Sequence, residues 1–256
     1  MSGYVRLCLA VLAALCAFAT HAEEQEWRPP FITTPDEVVE RMLQLAQTRP
    51  GDLVLDLGSG DGRIVIAAAQ KFGARGLGIE LDQRLVEVSR DNARRAQVAD
   101  RVSFRQGDVL VADISTASVV TVYLLPDLMG RLQARFIDEL KPGTRIVSHA
   151  FGMAGWLPDR SELVRLSRRH PGQGDESRLH LWIVPANVRG LWQGAGLSLR
   201  IEQSYQRIDI DGAQEAAISG RDIAWRTGAG RFSGRVEGDR MVGELAGRPL
   251  ELTRRR

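Results

Sequence analysis

The chain has 256 residues, 44% of them apolar and 26% charged, enough to bury a full core and unlike a disordered or low-complexity polymer. A formal net charge of +2 creates no field that would gather nucleic acid or an anionic membrane surface. Both cysteines, Cys8 and Cys16, fall near the start, so the remainder offers no disulfide, thiolate nucleophile or cysteine metal site.

Arg6 precedes the apolar run Leu7 to Ala19, and Thr20-His21-Ala22 ahead of Glu23 supplies a small residue at a cleavage position. The pattern predicts a signal peptide over residues 1–22 and an exported, periplasmic or secreted, mature chain. The run is shorter than a bilayer span, so no stable membrane span is expected. An uncleaved anchor, or a cytoplasmic chain whose signal goes unused, is the alternative. Thr34-Pro35-Asp36-Glu37 then opens a helix with a Thr cap, Pro in the first turn and acids at the positive end, and Val38, Val39, Met42, Leu43 and Leu45 supply its apolar face.

Leu53-Val54-Leu55 reads as a buried parallel strand and runs into Asp56-Leu57-Gly58-Ser59-Gly60-Asp61-Gly62, a glycine turn leading into the helix Arg63 to Ala69. The glycines run G-x-G-x-G, not the G-x-G-x-x-G of a dinucleotide fold, so pyrophosphate is not the expected guest. A tight turn in some other α/β protein is the competing reading. A second strand, Ala74 to Asp82, carries Glu80 about twenty residues past the first glycine, the interval at which a strand-end acid meets ribose hydroxyls. An ordinary solvated charge is the alternative there.

Gln83 to Gln97 has helical spacing, and Val102 to Val109 forms a third strand with Gly107-Asp108 at its carboxyl end. Ser118 to Leu125 reads as strand four, Leu128 to Leu140 as a helix, and Arg145 to His149 as strand five. Leu163 to Leu166 and Leu179 to Pro185 form a closing antiparallel pair. The alternation predicts an α/β fold, a doubly wound and mostly parallel seven-stranded sheet. After Pro185 the period changes to two, with turns at Asp211-Gly212, Gly228-Ala229-Gly230 and Glu237-Gly238-Asp239, which predicts an antiparallel β appendage. The chain thus divides into residues 1–22, 23–186 and 187–256, the last being a substrate-docking lid, or else a stabilising appendage or dimer element.

The glycine turn, Gly78-Ile79-Glu80 and the preceding Phe31-Ile32-Thr33-Thr34-Pro35 resemble the class I, seven-strand methyltransferases that use S-adenosylmethionine (SAM). Within that class they are similar to the protein-lysine methyltransferases of archaea and mitochondria and to bacterial relatives. The resemblance covers roughly Phe31 to Ala150. It implies SAM as cofactor, with Gly58, Ser59, Gly60 and Gly62 under its methionyl and ribose parts and Asp56 near its amino end. It also implies Glu80 at the ribose, Asp108 at the adenine amino group and Thr34 within the cofactor site. A protein amine such as lysine would be the acceptor.

Amino-directed nucleic-acid methyltransferases usually carry an Asp/Asn-Pro-Pro-aromatic clamp after strand four. Here the stretch is Tyr123-Leu124-Leu125-Pro126-Asp127, so no nucleic-acid acceptor is expected. The catalytic candidates are Tyr123, which would orient an amine or pack against cofactor or core, and His149, which would accept a proton near neutral pH or serve structure. The histidines lack metal-ligand spacing, so no metal is expected. A small-molecule methyltransferase of the same fold and a non-catalytic SAM or nucleoside binder are the competing functions.

Overall fold

The computed structural model describes residues 32–170 and 174–255. The signal-peptide reading of residues 1–22 therefore lies outside the described residues. Apolar runs become strands and amphipathic runs helices in chain order: α1 (Asp36–Leu45), β1 (Leu53–Leu57), α2 (Arg63–Phe72), β2 (Arg75–Glu80), α3 (Gln83–Arg95), β3 (Val102–Gln106), β4 (Val119–Val122), α4 (Pro126–Glu139), β5 (Arg145–His149), β6 (Arg160–His170) and β7 (Gly174–Ile183). The sheet order is β3-β2-β1-β4-β5-β7-β6. The first five strands in that order are parallel, and β7 runs antiparallel to both β5 and β6. This is the expected seven-stranded sheet.

Side chains alternate across the sheet. Val54, Val119 and Val147 join one core with Val38, Met42, Val65, Ala69 and Val86 of α1, α2 and α3. Leu55, Leu57, Val120, Val122 and Ile146 join a second core with Met129, Leu132 and Phe136 of α4. No helix lies between β3 and β4 or between β5 and β6. On the second face Trp156 and Trp182 fill the space instead, with the Trp182 indole N–H donating to the Trp156 carbonyl at 2.9 Å.

Strand three ends at Gln106, so Gly107 and Asp108 lie just beyond it rather than within it, and two further elements differ from expectation. Strand four ends at Val122, because Pro126 sits at the first position of α4 and commits the preceding residues to a turn. Thr34 does not cap α1: Pro35 occupies the cap position, which leaves Thr34 one residue too far out, and its hydroxyl meets His149 instead.

The C-terminal residues form β8 (Gly190–Gly194), β9 (Leu197–Ser204), β10 (Arg207–Ile210), β11 (Gln214–Ser219), β12 (Asp222–Thr227), β13 (Gly230–Glu237), β14 (Arg240–Leu245) and β15 (Arg248–Arg255). They make an eight-stranded sheet in the order β10-β9-β8-β15-β14-β13-β12-β11 with every neighbour antiparallel. Its two outer strands, β10 and β11, contact each other, so the meander curls toward a barrel around Trp192, Trp225, Phe232 and Met241. Tyr205, in the β9–β10 turn, stacks on Trp156 with ring centroids 5.1 Å apart and 5° between planes. Its hydroxyl accepts from Gln133 of α4 at 2.7 Å. The second sheet thereby covers ground that a crossover helix would otherwise occupy.

Candidate functional site

The carboxyl ends of the parallel strands gather the polar residues. After β1 the backbone turns through Gly58, Gly60 and Gly62 with φ of 80°, 53° and 80°. At Gly62 a Cβ would lie 2.6 Å from the Phe104 ring, so conformation and space both require glycine. The turn is held from three sides. The amides of Gly58 and Ser59 donate to the Ile79 carbonyl at 2.9 and 3.0 Å. Ser89 Oγ donates to the Gly60 carbonyl, and Asn92 Nδ2 to the Asp61 carbonyl, both at 2.8 Å.

Glu80 ends β2 and holds the turn with its carboxylate, Oε2 accepting from the Gly60 amide at 2.8 Å and Oε1 from the Asp82 amide at 3.0 Å. An ionised carboxylate has about four acceptor sites. The remaining sites are open to hydroxyl donors such as those of a ribose. Asp108, exposed after β3, accepts from the Leu110 amide through Oδ1 at 2.8 Å and keeps its other oxygen for a further donor. This acceptor-only set, beside a turn whose glycines carry no Cβ, matches the donors that the ribose and amino groups of SAM would offer. Ser59 turns its hydroxyl inward, where a Cβ at Gly78 would lie 2.5 Å from it, so the outward face of that residue is backbone.

Asp56 is buried and accepts from Thr121 Oγ1 at 2.7 Å on the neighbouring strand. Burial, reinforced by the negative charges of Glu80 and Asp61, pushes its pKa up to about 7 against the lowering effect of Thr121. A cationic group bound nearby would favour the ionised form. No sequence pattern assigned this role to Thr121, although a hydroxyl in the apolar run Val119-Val120-Thr121-Val122 was the available signal.

At the ends of β4 and β5, Tyr123 and His149 come together, their ring centroids 4.2 Å apart, with Phe151 stacked 6.3 Å from Tyr123. His149 is buried between hydroxyls, with Thr34 Oγ1 3.1 Å from Nδ1 and Ser177 Oγ 3.1 Å from Nε2. Burial, and secondarily the charge of His170, lowers its pKa to about 4. This corrects the expectation of titration near neutral pH: the imidazole is neutral there and both its nitrogens are engaged. Among the described residues no group of His, Cys, Asp and Glu is arranged to hold a metal ion. Nor is any described helix long and apolar enough to cross a membrane.

Residues 56–160 match the ANTKMT methyltransferase domain. The chain is 42% identical over 130 residues to a protein-lysine N-methyltransferase of Saccharolobus islandicus, covering 50% of this chain and 81% of that protein. It is 36% identical over 129 residues to the adenine nucleotide translocase lysine N-methyltransferase of Mus musculus, covering 50% of this chain and 56% of the mouse protein. Among solved structures, the RNA methyltransferase from Salinibacter ruber, determined in complex with S-adenosyl-L-homocysteine, is 49% identical with a TM-score of 0.56, and the match covers 61% of this chain and 96% of that one. The domain match ends before the C-terminal sheet, and SAM is the cosubstrate of the class that these proteins define.

Proposed function

Because the chain belongs to the SAM-dependent methyltransferases that carry the ANTKMT methyltransferase domain, we propose that it methylates a protein amine, with a lysine side chain as acceptor. The observation that carries the acceptor class is the similarity to lysine methyltransferases from an archaeon and a mammal. The stacked pair Tyr123 and Phe151 supports it, since the faces of such rings attract an ammonium group.

In this reading Glu80 and Asp108 accept from the cofactor's ribose and adenine, the glycine turn offers its backbone, and Asp56 answers the charge of the amino end. SAM supplies an already activated methyl group, so the chain's task is alignment and exclusion of water. Thr34 and His149 close one side of the site. Tyr123 orients the incoming amine through its hydroxyl. The ammonium gives up its proton to solvent water as it enters, because burial beside a cation lowers its pKa, and the neutral amine then takes the methyl group. His149 then acts as a wall and a hydrogen-bonding partner, its pKa of about 4 making it a weak base.

Incubation with methyl-labelled SAM and separated protein, RNA and small-molecule fractions of a lysate tests the proposal. Label recovered as methyl-lysine after hydrolysis supports it. The RNA reading rests on the similarity to the Salinibacter protein, and label confined to RNA would establish it in place of lysine. Export of the chain is a separate proposal from residues 1–22. N-terminal sequencing tests it: Glu23 as the first residue supports export, and intact Met1 in the cytoplasm removes it.

A further inference from the structure

Three elements hold the segment Thr33–Pro35, which runs past the ends of β5 and β6 into α1. Thr33 Oγ1 lies 3.3 Å from His170 Nε2, and Thr34 Oγ1 lies 3.1 Å from His149 Nδ1. The third contact is to the Thr34 backbone, whose carbonyl accepts from Arg63 Nη1 at 2.9 Å.

Arg63 is the first residue of α2, directly after the glycine turn. Its Nε donates to Asp61 Oδ1 at 2.9 Å and its Nη2 to Asp61 Oδ2 at 2.6 Å, a bidentate pair. Asp61 is itself a fixed post, because Asn92 of α3 holds its carbonyl while Ser89 holds that of Gly60. One half-buried guanidinium thus joins two parts of the site. On one side is the turn that faces the cofactor. On the other is Thr34, which touches His149, against which the Tyr123 ring lies at 4.2 Å. These bonds leave from three separate nitrogens of one rigid plane, whereas the three donors of a lysine share a single nitrogen on a flexible stem and cannot span the same positions.

We propose that Arg63 is a positioning residue, which sets the acceptor-side wall of Thr34, His149 and Tyr123 against the cofactor-holding turn. The inference rests on the reading of this edge as a SAM site with its acceptor end at β4 and β5. Arg63 makes no contribution through the methyl group itself. It acts through the Thr34 carbonyl and the Asp61 carboxylate.

The test uses the whole chain, S-adenosylhomocysteine as probe, calorimetry for affinity and hydrogen exchange for the peptides spanning residues 32–39 and 56–62. In the wild type, the probe should slow exchange in both peptides. In Arg63→Met the probe should bind within about threefold of wild type and still protect 56–62. Exchange in 32–39 should be at least about tenfold faster than in the wild-type complex, reflecting a segment that opens locally. Arg63→Lys keeps the charge and most of the volume, and should show the same uncoupling even if the Met variant folds poorly. Wild-type protection of 32–39 in the bound lysine variant would overturn the proposal. So would an affinity loss that matches the loss of protection, because Arg63 would then belong to the cofactor pocket. A wild type that binds no probe would instead remove the SAM-site reading on which the proposal stands.

Discussion

In the seven-stranded sheet, the acids at the carboxyl edge serve the backbone and the core: Glu80 accepts from the amides of Gly60 and Asp82, and Asp56 is buried against Thr121. In the eight-stranded sheet the acids face arginines across neighbouring strands, as in Arg226–Glu215 at 3.1 Å, Arg235–Asp222 at 3.4 Å and Arg240–Glu251 at 2.8 Å. The same side chains therefore do different work. A parallel sheet ends all its strands at one edge and must turn the chain there, which concentrates backbone donors that acids can organise. An antiparallel meander reverses at both ends and leaves its charges paired on the flank, where solvent screens them. The difference separates an edge that gathers acceptors around a backbone turn from a sheet whose charges pair along its flank, and the two sheets meet through Tyr205 on Trp156.

The largest effect should come from Gly60→Val. With φ at 53°, a β-branched residue there is strained, and the amide held by Glu80 would move. Affinity for S-adenosylhomocysteine should fall by more than about a hundredfold, beyond about 2.7 kcal/mol, and calorimetry reads it. Glu80→Ala should cost about 1.5–3 kcal/mol of cofactor binding, the range for hydrogen bonds to a charged group. The contrasting variant Glu251→Gln should leave that affinity unchanged, because its carboxylate meets Arg240 at the surface of the second sheet.

Tyr205→Ala asks whether the second sheet is joined to the first in energy as well as in contact. Loss of a half-buried ring and of its bond from Gln133 should lower unfolding stability by about 2–3 kcal/mol in denaturant titrations. An unchanged midpoint would make the two sheets energetically independent.

The smallest net effect in the wild type is a pair of opposed pH slopes within the first sheet, each at most about 1.4 kcal/mol per pH unit and largely cancelling. Asp56 has a folded pKa of about 7, above its unfolded value, so the folded state binds more protons and stability falls as pH rises through that window. His149 has a folded pKa of about 4, below its unfolded value, so stability rises with pH from there toward 6.5. Between these limits the two slopes oppose each other in the wild type. Asp56→Asn should expose the rising slope of His149, and His149→Gln the falling slope of Asp56, in thermal melts across pH. Parallel profiles in the two variants would show that neither group is buried as described.

Local signals carried much of this. The glycine turn, Glu80 at a strand end and the switch to period two after Pro185 are short-range patterns, and each became the element it implied. What pairs with what across the chain was not legible. Arg63 reaches Thr34 across 29 positions, Thr121 reaches Asp56 across 65, and Thr34 reaches His149 across 115. Periodicity says which face a residue occupies, not which distant hydroxyl shares it. For the same reason Thr34 read as a helix cap, and His149, placed correctly at a strand end, read as a residue that titrates near neutrality. The curling of the second sheet also depends on contact between its outermost strands, which strand spacing alone does not specify.

The most direct test of the account is a crystal structure of the full chain grown with S-adenosylhomocysteine. The ligand should lie along the carboxyl edge of the seven-stranded sheet, its ribose hydroxyls within hydrogen-bonding distance of Glu80, its adenine beside Asp108, and its sulfur end toward Tyr123. Ligand bound to the eight-stranded sheet, or a carboxyl edge left empty at saturating concentration, would contradict it.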